Sequence, residues 1–151
     1  MDSGLRDLYQ EIILDHSRHP RHFGPLATAN HMAEGHNPLC GDRVKVYLKV
    51  DAKDRIEDVS FEGRGCAISV ASASLMTDML KGRSVAEAEH LMGGFLNLVK
   101  GEDAAELESD DRETLEVMAG VSAFPMRVKC ATLAWHAMKA ALDDEGAART
   151  E

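Results

Sequence analysis

The feature of this sequence that most constrains its fold is a set of three distant cysteines, one of which lies beside an aspartate. Cys40 and Asp42 stand two residues apart with Gly41 between them. Because glycine has no Cβ, the backbone can bend there until the thiol and the carboxylate point at one spot. Cys66 and Cys130 lie far off, each near the expected start of a helix. A fold that joins these side chains would have enough ligands for a tetrahedral metal site.

The composition is that of an acidic globular chain. Its 151 residues suit one domain with a sizeable core, so we expect a single domain over residues 1–151. A hydrophobic content of 44% argues against disorder, and a net charge of −9 disfavours nucleic acid as a partner, because phosphate binding needs a basic face. No apolar run has membrane-spanning length, and the N-terminus lacks a signal-peptide pattern. We therefore expect a cytoplasmic protein with reduced cysteines and no membrane partner.

A β-hairpin is predicted directly after the first cysteine. In residues 44–50 every second residue is apolar, which is typical of a strand with one buried face. A polar turn at residues 51–54 leads to a second strand, in which Val59 and Phe61 share one face. Ile56 is out of phase with them, so we place it in the turn or at a bulge.

Helices precede and follow this hairpin. Apolar residues at helical spacing predict a helix over residues 5–16, and another follows Cys66 and is capped by Gly82. Ser84 and Glu87 have the spacing of a capping box, which starts a third helix. The other predicted elements are a short edge strand at 27–35, a solvated acidic loop at 101–111, a short helix at 112–118, a final helix at 128–142 and a frayed tail at 143–151. This order predicts an α+β fold, with a small antiparallel β-sheet and helices packed on one face.

The cysteine positions alone leave more than one chemistry open. Cys66 opens one predicted helix and Cys130 lies in the first turn of another, where the helix dipole favours a thiolate. Free cysteines are also common as small buried hydrophobes, and the chain has no C-x-x-C pair. A nucleophilic Cys–His pair with His136 is disfavoured, because residues six apart do not share a helix face well. The three histidines in residues 15–22 are typical of a solvated helix end rather than of a metal loop.

Three segments around the cysteines resemble the ligand motifs of the iron–sulfur scaffold family that has the IscU/NifU N-terminal fold. They are Cys40-Gly41-Asp42, Gly63-Arg64-Gly65-Cys66 and Lys129-Cys130. The segments most similar to the SufU branch are residues 8–16, 37–42, 61–69 and 129–135, so the resemblance covers nearly the whole chain. IscU scaffolds usually carry histidine where Lys129 stands, and the segment 101–127 looks like an insertion of SufU proteins. The resemblance implies a SufE/IscU-like fold and, within it, the SufU branch.

The SufU resemblance implies a zinc-dependent sulfurtransferase for iron–sulfur cluster assembly. Its zinc ligands would be Cys40, Asp42, Cys66 and Cys130. Cys40 would leave the zinc when a partner residue replaces it, and would accept persulfide sulfur from a SufS-type PLP cysteine desulfurase. Downstream Suf cluster-assembly proteins would receive the sulfur. Arg127 matches a basic residue of the family and is a candidate partner contact, although a surface charge at a helix start explains it equally well.

Two other functions fit the same residues. The first is a scaffold on which a transient iron–sulfur cluster is assembled and transferred. Lys129 argues against it, because a protonated lysine cannot replace the histidine as a ligand. The second is a structural zinc module, in which loss of Cys40 would unfold the chain.

Overall fold

Within residues 3–150, which the computed structural model describes, a four-stranded sheet covered by helices forms the frame of the molecule. The strands are β1 (His31–Asn37), β2 (Asp42–Val50), β3 (Ile56–Arg64) and β4 (Ala147–Arg149), in the spatial order β3-β2-β1-β4. The helices are α1 (Ser3–Arg18), α2 (Ala67–Leu80), α3 (Val85–Val99), α4 (Ser109–Leu115) and α5 (Pro125–Leu142), with a 3-10 helix at Glu116–Ala123. The predicted α+β fold is confirmed.

The predicted hairpin is also confirmed, and a bulge explains the phase of Ile56. β2 and β3 pair antiparallel, with Leu48 opposite Val59. The register shifts between Lys49 and Val50, which adds one residue to β3. Beyond this bulge Ile56 points into the same core as Val59, and both are 0% exposed.

The first and last strands differ from the expectations for residues 27–35 and 143–151. β1 lies further along the chain than predicted, and it is flanked by β2 and β4 rather than being an edge. The tail that we expected to fray contains β4, which pairs parallel to β1, so the sheet is mixed rather than wholly antiparallel. The backbone N–H of Glu34 donates to the carbonyl of Gly146 at 2.9 Å at the start of this pairing. β4 has only three residues, too few to show an alternating pattern in the sequence.

The helices α2 and α5 cover one face of the sheet, as predicted. That face carries Val46 and Leu48, both 0% exposed, and the side chain of Leu133 in α5 packs against Gly35 of β1. In the core beneath them, the ring of Trp135 stacks on Phe95 with centroids 4.8 Å apart. No helix in the part of the chain that the structure describes is both long and apolar enough to cross a membrane.

The predicted helix signals are largely confirmed at α2 and α3. α2 ends one residue before its C-cap at Lys81, and Gly82 follows with φ +89°, which favours glycine. The capping box of α3 has both of its hydrogen bonds, because Glu87 N donates to Ser84 Oγ and Ser84 N donates to Glu87 Oε1, each at 3.1 Å. α1 extends beyond the predicted residues 5–16 at both ends.

The acidic segment 101–111 is more ordered than the predicted solvated loop. Ala104 and Leu107 are buried, and Leu107 packs so closely on Gly94 of α3 that a Cβ there would collide with it. Asp111 receives two hydrogen bonds from Arg83, at 2.7 and 3.0 Å. The prediction failed because one leucine among charges gives no periodic signal, although it anchors the segment to α3.

The C-terminal helices also differ from prediction in their bounds. The short helix expected at 112–118 is divided into α4 and the 3-10 helix. The final helix, expected at 128–142, begins at Pro125, where proline suits the first helical position because no intrahelical partner is needed for its nitrogen.

Candidate metal centre

Cys40 and Asp42 are held by the tight connection between β1 and β2. The N–H of Gly41 donates to the carbonyl of Asn37 at 2.9 Å, and the N–H of Leu39 donates to Asn37 Oδ1 at 3.1 Å. Gly41 has φ +74°, so the chain bends at the glycine, as the sequence predicted. Asn37 and Asp42 form the last pair of the β1–β2 ladder. Cys40 therefore lies just beyond the end of the sheet, and Asp42 lies on its last row.

The carboxylate of Asp42 connects the three cysteines. The Cys40 thiol donates to Asp42 Oδ2 at 3.3 Å, and the Cys40 Sγ lies 3.6 Å from the Cys130 Sγ. Cys40, Asp42 and Cys130 each offer one ligand atom, and these atoms lie within 4.8 Å of one another. The backbone N–H of Cys66 donates to Asp42 Oδ1 at 3.1 Å, while its Sγ stands 3.9 Å from Asp42 Oδ2. The structure thus brings the four predicted ligands to one end of the sheet, and their binding of a metal stays a prediction.

Two helices hold the other two cysteines. Cys66 is the N-cap residue of α2, in extended conformation with φ −69° and ψ 164°. Cys130 was expected in the first turn of its helix, but α5 starts at Pro125, so Cys130 lies in the second turn. The field of the helix dipole is weaker there, because it falls off within the first turn. The helix dipole therefore stabilises negative charge at Cys130 less than the sequence predicted.

The candidate ligands differ in their exposure to solvent. Asp42 and Cys130 are each 1% exposed, Cys66 is partly buried, and Cys40 is exposed. Burial raises the pKa of the Cys130 thiol above its ordinary value, and hydrogen bonds with Asp42 and Cys40 act in the same direction. Without a cation, Cys130 is therefore a protonated thiol at neutral pH.

Arg127 lies close enough to the thiols to interact with them electrostatically. Negative charge on Cys66 is the main cause that raises the pKa of the Arg127 guanidinium, followed by a hydrogen bond with Cys66 and by charge on Cys130. Arg127 is exposed in the first turn of α5. It can therefore contact both the site and a molecule bound over it, although the role as a partner contact is untested.

The donor set fits Zn²⁺. Three thiols and a carboxylate are ligand types that zinc accepts in tetrahedral sites. Asp42 and Cys130 are almost fully buried, and placing their charged forms side by side without a cation would cost several kcal/mol. A divalent ion at this position would compensate both charges.

Within residues 3–150, no histidine belongs to a comparable cluster of possible metal ligands. His136 is not part of the group around Cys130. In the segment 15–22, His16 is 7% exposed and its Nδ1 lies 2.7 Å from Ser74 Oγ. His16 thus fixes α1 on α2, so the interpretation of this segment as a wholly solvated helix end was wrong for this residue.

The structural roles of two residues of the site cannot be predicted from the sequence alone. Asn37 is fully buried, and its Nδ2 has no hydrogen-bond partner among the described residues. Gly65 leaves room for the Asp42 carboxylate, which a Cβ at this position would strike. From the sequence, the two glycines around Arg64 indicate only a sharp turn. The tight approach of Asp42 cannot be seen in the glycine pattern, because the aspartate comes from a segment distant in sequence.

Known proteins have similar sequences over nearly the whole chain. The NifU-like N-terminal domain matches residues 8–131. The zinc-dependent sulfurtransferase SufU of Bacillus subtilis is 40% identical over 146 residues, which cover 96% of this chain and 97% of the relative. The iron–sulfur cluster assembly scaffold protein IscU of Streptococcus pyogenes is 44% identical over 141 residues, with coverage of 93% and 86%.

A solved structure has the same fold. It is a crystal structure described as that of a candidate iron–sulfur cluster assembly scaffold protein for the SUF system, from Fervidobacterium islandicum AW-1. The two chains superpose with a TM-score of 0.81 at 35% identity, over 93% of this chain and 99% of the other. The resemblance found in the cysteine segments is therefore confirmed. The chain belongs to the NifU-like N-terminal domain family of iron–sulfur cluster assembly proteins.

Proposed function

We propose that this protein is a zinc-dependent sulfurtransferase that accepts persulfide sulfur on Cys40. The observation that carries the proposal is the contrast in exposure within one cluster of ligands. Cys40 is exposed on a loop, whereas Asp42 and Cys130 are covered by the fold. A protein partner can reach Cys40 without opening the core. The B. subtilis relative that is named a zinc-dependent sulfurtransferase supports the same activity.

Zinc would be held by Cys40, Asp42, Cys66 and Cys130. It would supply a positive charge that keeps the thiols deprotonated at neutral pH. The chain itself positions the ligands. The hydrogen bond from the Cys66 backbone to Asp42 Oδ1 at 3.1 Å orients the carboxylate, and the Gly41 bend sets the Cys40 loop.

The sulfur transfer needs no external oxidant. The donor is a persulfide on a SufS-type PLP cysteine desulfurase, which takes the sulfur from free cysteine. The Cys40 thiolate attacks the outer sulfur of that persulfide, a new S–S bond forms on Cys40, and the enzyme's S–S bond breaks. The desulfurase thiolate leaves with the electron pair, so oxidation states balance. Downstream Suf cluster-assembly proteins would take the sulfur from Cys40 in the cytoplasm.

The test measures the metal content of the protein, the loading of sulfur on Cys40 and the thermal stability. Protein purified without oxygen is analysed for metals, incubated with the desulfurase and cysteine, and examined by mass spectrometry for one added sulfur on Cys40. We expect about one zinc per chain, no visible chromophore, and a lower Tm after removal of zinc by a chelator. An unchanged Tm would contradict metal binding by the folded site.

Two variants at one position separate metal binding from sulfur acceptance. Cys40→Asp keeps an anionic zinc ligand but cannot form a persulfide, so it should fold, bind zinc and stay unloaded. Cys40→Ser should also fold and stay unloaded, with weaker zinc binding. Loading of Cys66 or Cys130 in these variants to the level of the unaltered protein would show that Cys40 is not the acceptor. Unfolding of both variants would favour the structural zinc module.

The second candidate function is that of a scaffold for a transient iron–sulfur cluster. It is favoured by the 44% identity with the S. pyogenes protein named a scaffold. The same four side chains would hold the cluster. Iron and sulfide in the purified protein, with a coloured chromophore, would support this function over the first.

A further inference from the structure

The face of the sheet opposite α2 and α5 carries a row of basic residues, at the end of the sheet where the candidate metal centre lies. His36 of β1 lies opposite Arg43 of β2, and Arg43 lies opposite Arg64 of β3. We call His36, Arg43 and Arg64 the basic row. The basic row crosses β1, β2 and β3 and adjoins the last ladder pair of β1 and β2, to which Asp42 belongs.

The basic row is unusual because its charges do not compensate one another. In the next row on the same face, Lys45 lies between Glu34 and Glu62, so opposite charges face each other. Like charges directly opposite on neighbouring strands destabilise a sheet. Among the ion pairs formed within residues 3–150, none includes Arg43 or Arg64. No ion pair within the described residues therefore accounts for placing these two arginines side by side.

The surroundings of the basic row have the composition of a protein interface. His36, Arg43 and Arg64 line a cleft of about 440 Å³, together with Phe23. The Phe23 ring is 54% exposed and stands edge-on to Phe61 at a centroid distance of 5.3 Å. Arginine and aromatic residues are enriched in the parts of interfaces that carry binding energy. A small anion would contact only the charged side chains, whereas a protein surface would also cover the exposed ring of Phe23.

The position of the basic row connects it with sulfur transfer. Arg43 directly follows Asp42, and Arg64 precedes Cys66 by two residues. A standard interface covers about 800 Å² of each partner, so a protein that reaches Cys40 would extend over this neighbouring row. The whole chain has 26 acidic and 17 basic residues, so most of its surface would repel an acidic partner. The basic row is where such a partner would be attracted, and this would fix its orientation.

We propose that the basic row docks an acidic surface of the desulfurase that donates sulfur to Cys40. This inference rests on the proposed function, and it adds where the partner binds and which charge its surface carries. The arginines act by positioning the donor persulfide over Cys40.

The binding test uses charge reversal with a matched control. Arg43→Glu and Arg64→Glu each reverse one charge of the basic row. Lys49→Glu reverses a charge on the same strand and face, at the opposite end, where Lys49 pairs with Asp58. The desulfurase from the same organism is titrated into each protein by calorimetry. We expect each arginine variant to raise Kd about tenfold at low salt and less at high salt, because screening weakens the attraction. Lys49→Glu should leave Kd nearly unchanged.

Stability and chemical loading distinguish docking from damage to the site. Arg43→Glu places a carboxylate between His36 and Arg64, so it should leave Tm unchanged or raise it by about 2 °C. Both arginine variants should keep their zinc. They should also accept sulfur on Cys40 from inorganic polysulfide at the unaltered rate. In that reaction the Cys40 thiolate attacks a terminal sulfur, an S–S bond of the polysulfide breaks, and the shortened polysulfide leaves with the electron pair.

The two proposals fail separately. If the unaltered protein is loaded by the desulfurase and the arginine variants bind as Lys49→Glu does, the docking inference is overturned and the proposed function stands. If the desulfurase binds in an arginine-dependent manner but never loads Cys40, docking is supported and the sulfurtransferase function fails. Zinc loss or a lowered Tm in both arginine variants would also overturn the inference, since the basic row would then serve the fold.

Discussion

At the scale of single residues, Gly65 decides how closely the Asp42 carboxylate can approach the start of α2. A Cβ at position 65 would collide with the carboxylate group, which has almost no free space because Asp42 is 1% exposed. We predict that Gly65→Ala displaces Asp42 and weakens zinc binding about tenfold or more, as does the loss of other groups that orient ligands. Competition with a chromophoric chelator would measure the zinc affinity.

A glycine without close neighbours provides the control for this prediction. A Cβ added at Gly120 would meet no atom within 4 Å, so Gly120→Ala adds the same group without a collision. It should bind zinc like the unaltered protein. Equal zinc affinities of the two variants would mean that Asp42 is not held against position 65.

Among the residues of the site, those with a chemical signature could be predicted and those defined by contact could not. Cys40, Asp42, Cys66 and Cys130 stand in motifs that resemble a known family, and the fold brings them together. Asn37 lies in the similar segment 37–42, but its residue type predicts no role, because its buried and unpaired Nδ2 depends on how β1 meets β2.

At the scale of the elements, Gly94 lets the acidic segment pack on α3. Leu107 occupies the space that a Cβ at position 94 would need. We predict that Gly94→Ala lowers the free energy of unfolding by about 1–3 kcal/mol, because overpacking forces neighbours to shift. Thermal or urea unfolding would measure the loss.

The adjacent glycine gives the matched comparison. Gly93 lies in the same helix, and a Cβ added there would meet no atom within 4 Å, so Gly93→Ala should stabilise the helix by up to about 1 kcal/mol. A destabilising effect of the same size in both variants would argue against specific packing between Leu107 and Gly94.

The elements that could be predicted are those with a local cause. Alternation over residues 44–50 defines β2, and the pair Ser84 and Glu87 defines the start of α3. β4 has no local cause, because its strand conformation comes from pairing with β1 across more than half of the chain. The packing of Leu107 could not be predicted for the same reason, because its partner Gly94 belongs to α3 and lies outside the acidic segment.

At the scale of the whole molecule, two partly or fully buried histidines make stability depend on pH. Burial is the main cause that lowers the pKa of His16, and the charge of Arg21 adds to it. Burial likewise lowers the pKa of His136, with a further contribution from Lys100. The unfolded chain therefore binds protons at these rings more readily than the folded chain does. Their contribution to stability is complete above about pH 6.5 and is lost as the pH falls toward the folded pKa.

We predict that Tm decreases between pH 7 and pH 5, and that His16→Gln removes part of this decrease. Each histidine can contribute at most about 1.4 kcal/mol per pH unit to the slope. His19→Gln alters an exposed ring on the same segment and should preserve the full decrease. Thermal melts across this pH range would test both variants, and identical slopes for them would contradict the assignment to His16.

The distance between Cys40 and Cys130 along the chain has a consequence for biosynthesis. Their sulfurs lie 3.6 Å apart although the residues are separated by 90 positions. At about 5–20 residues per second, a ribosome needs roughly 5–20 s to synthesise the chain between them. During that time Cys40 and Asp42 can emerge without their buried partner, and the loop that carries them cannot form the complete ligand set. If the site holds zinc as proposed, the full ligand set can bind it only after α5 has been translated, so zinc would be loaded after most of the chain has been synthesised.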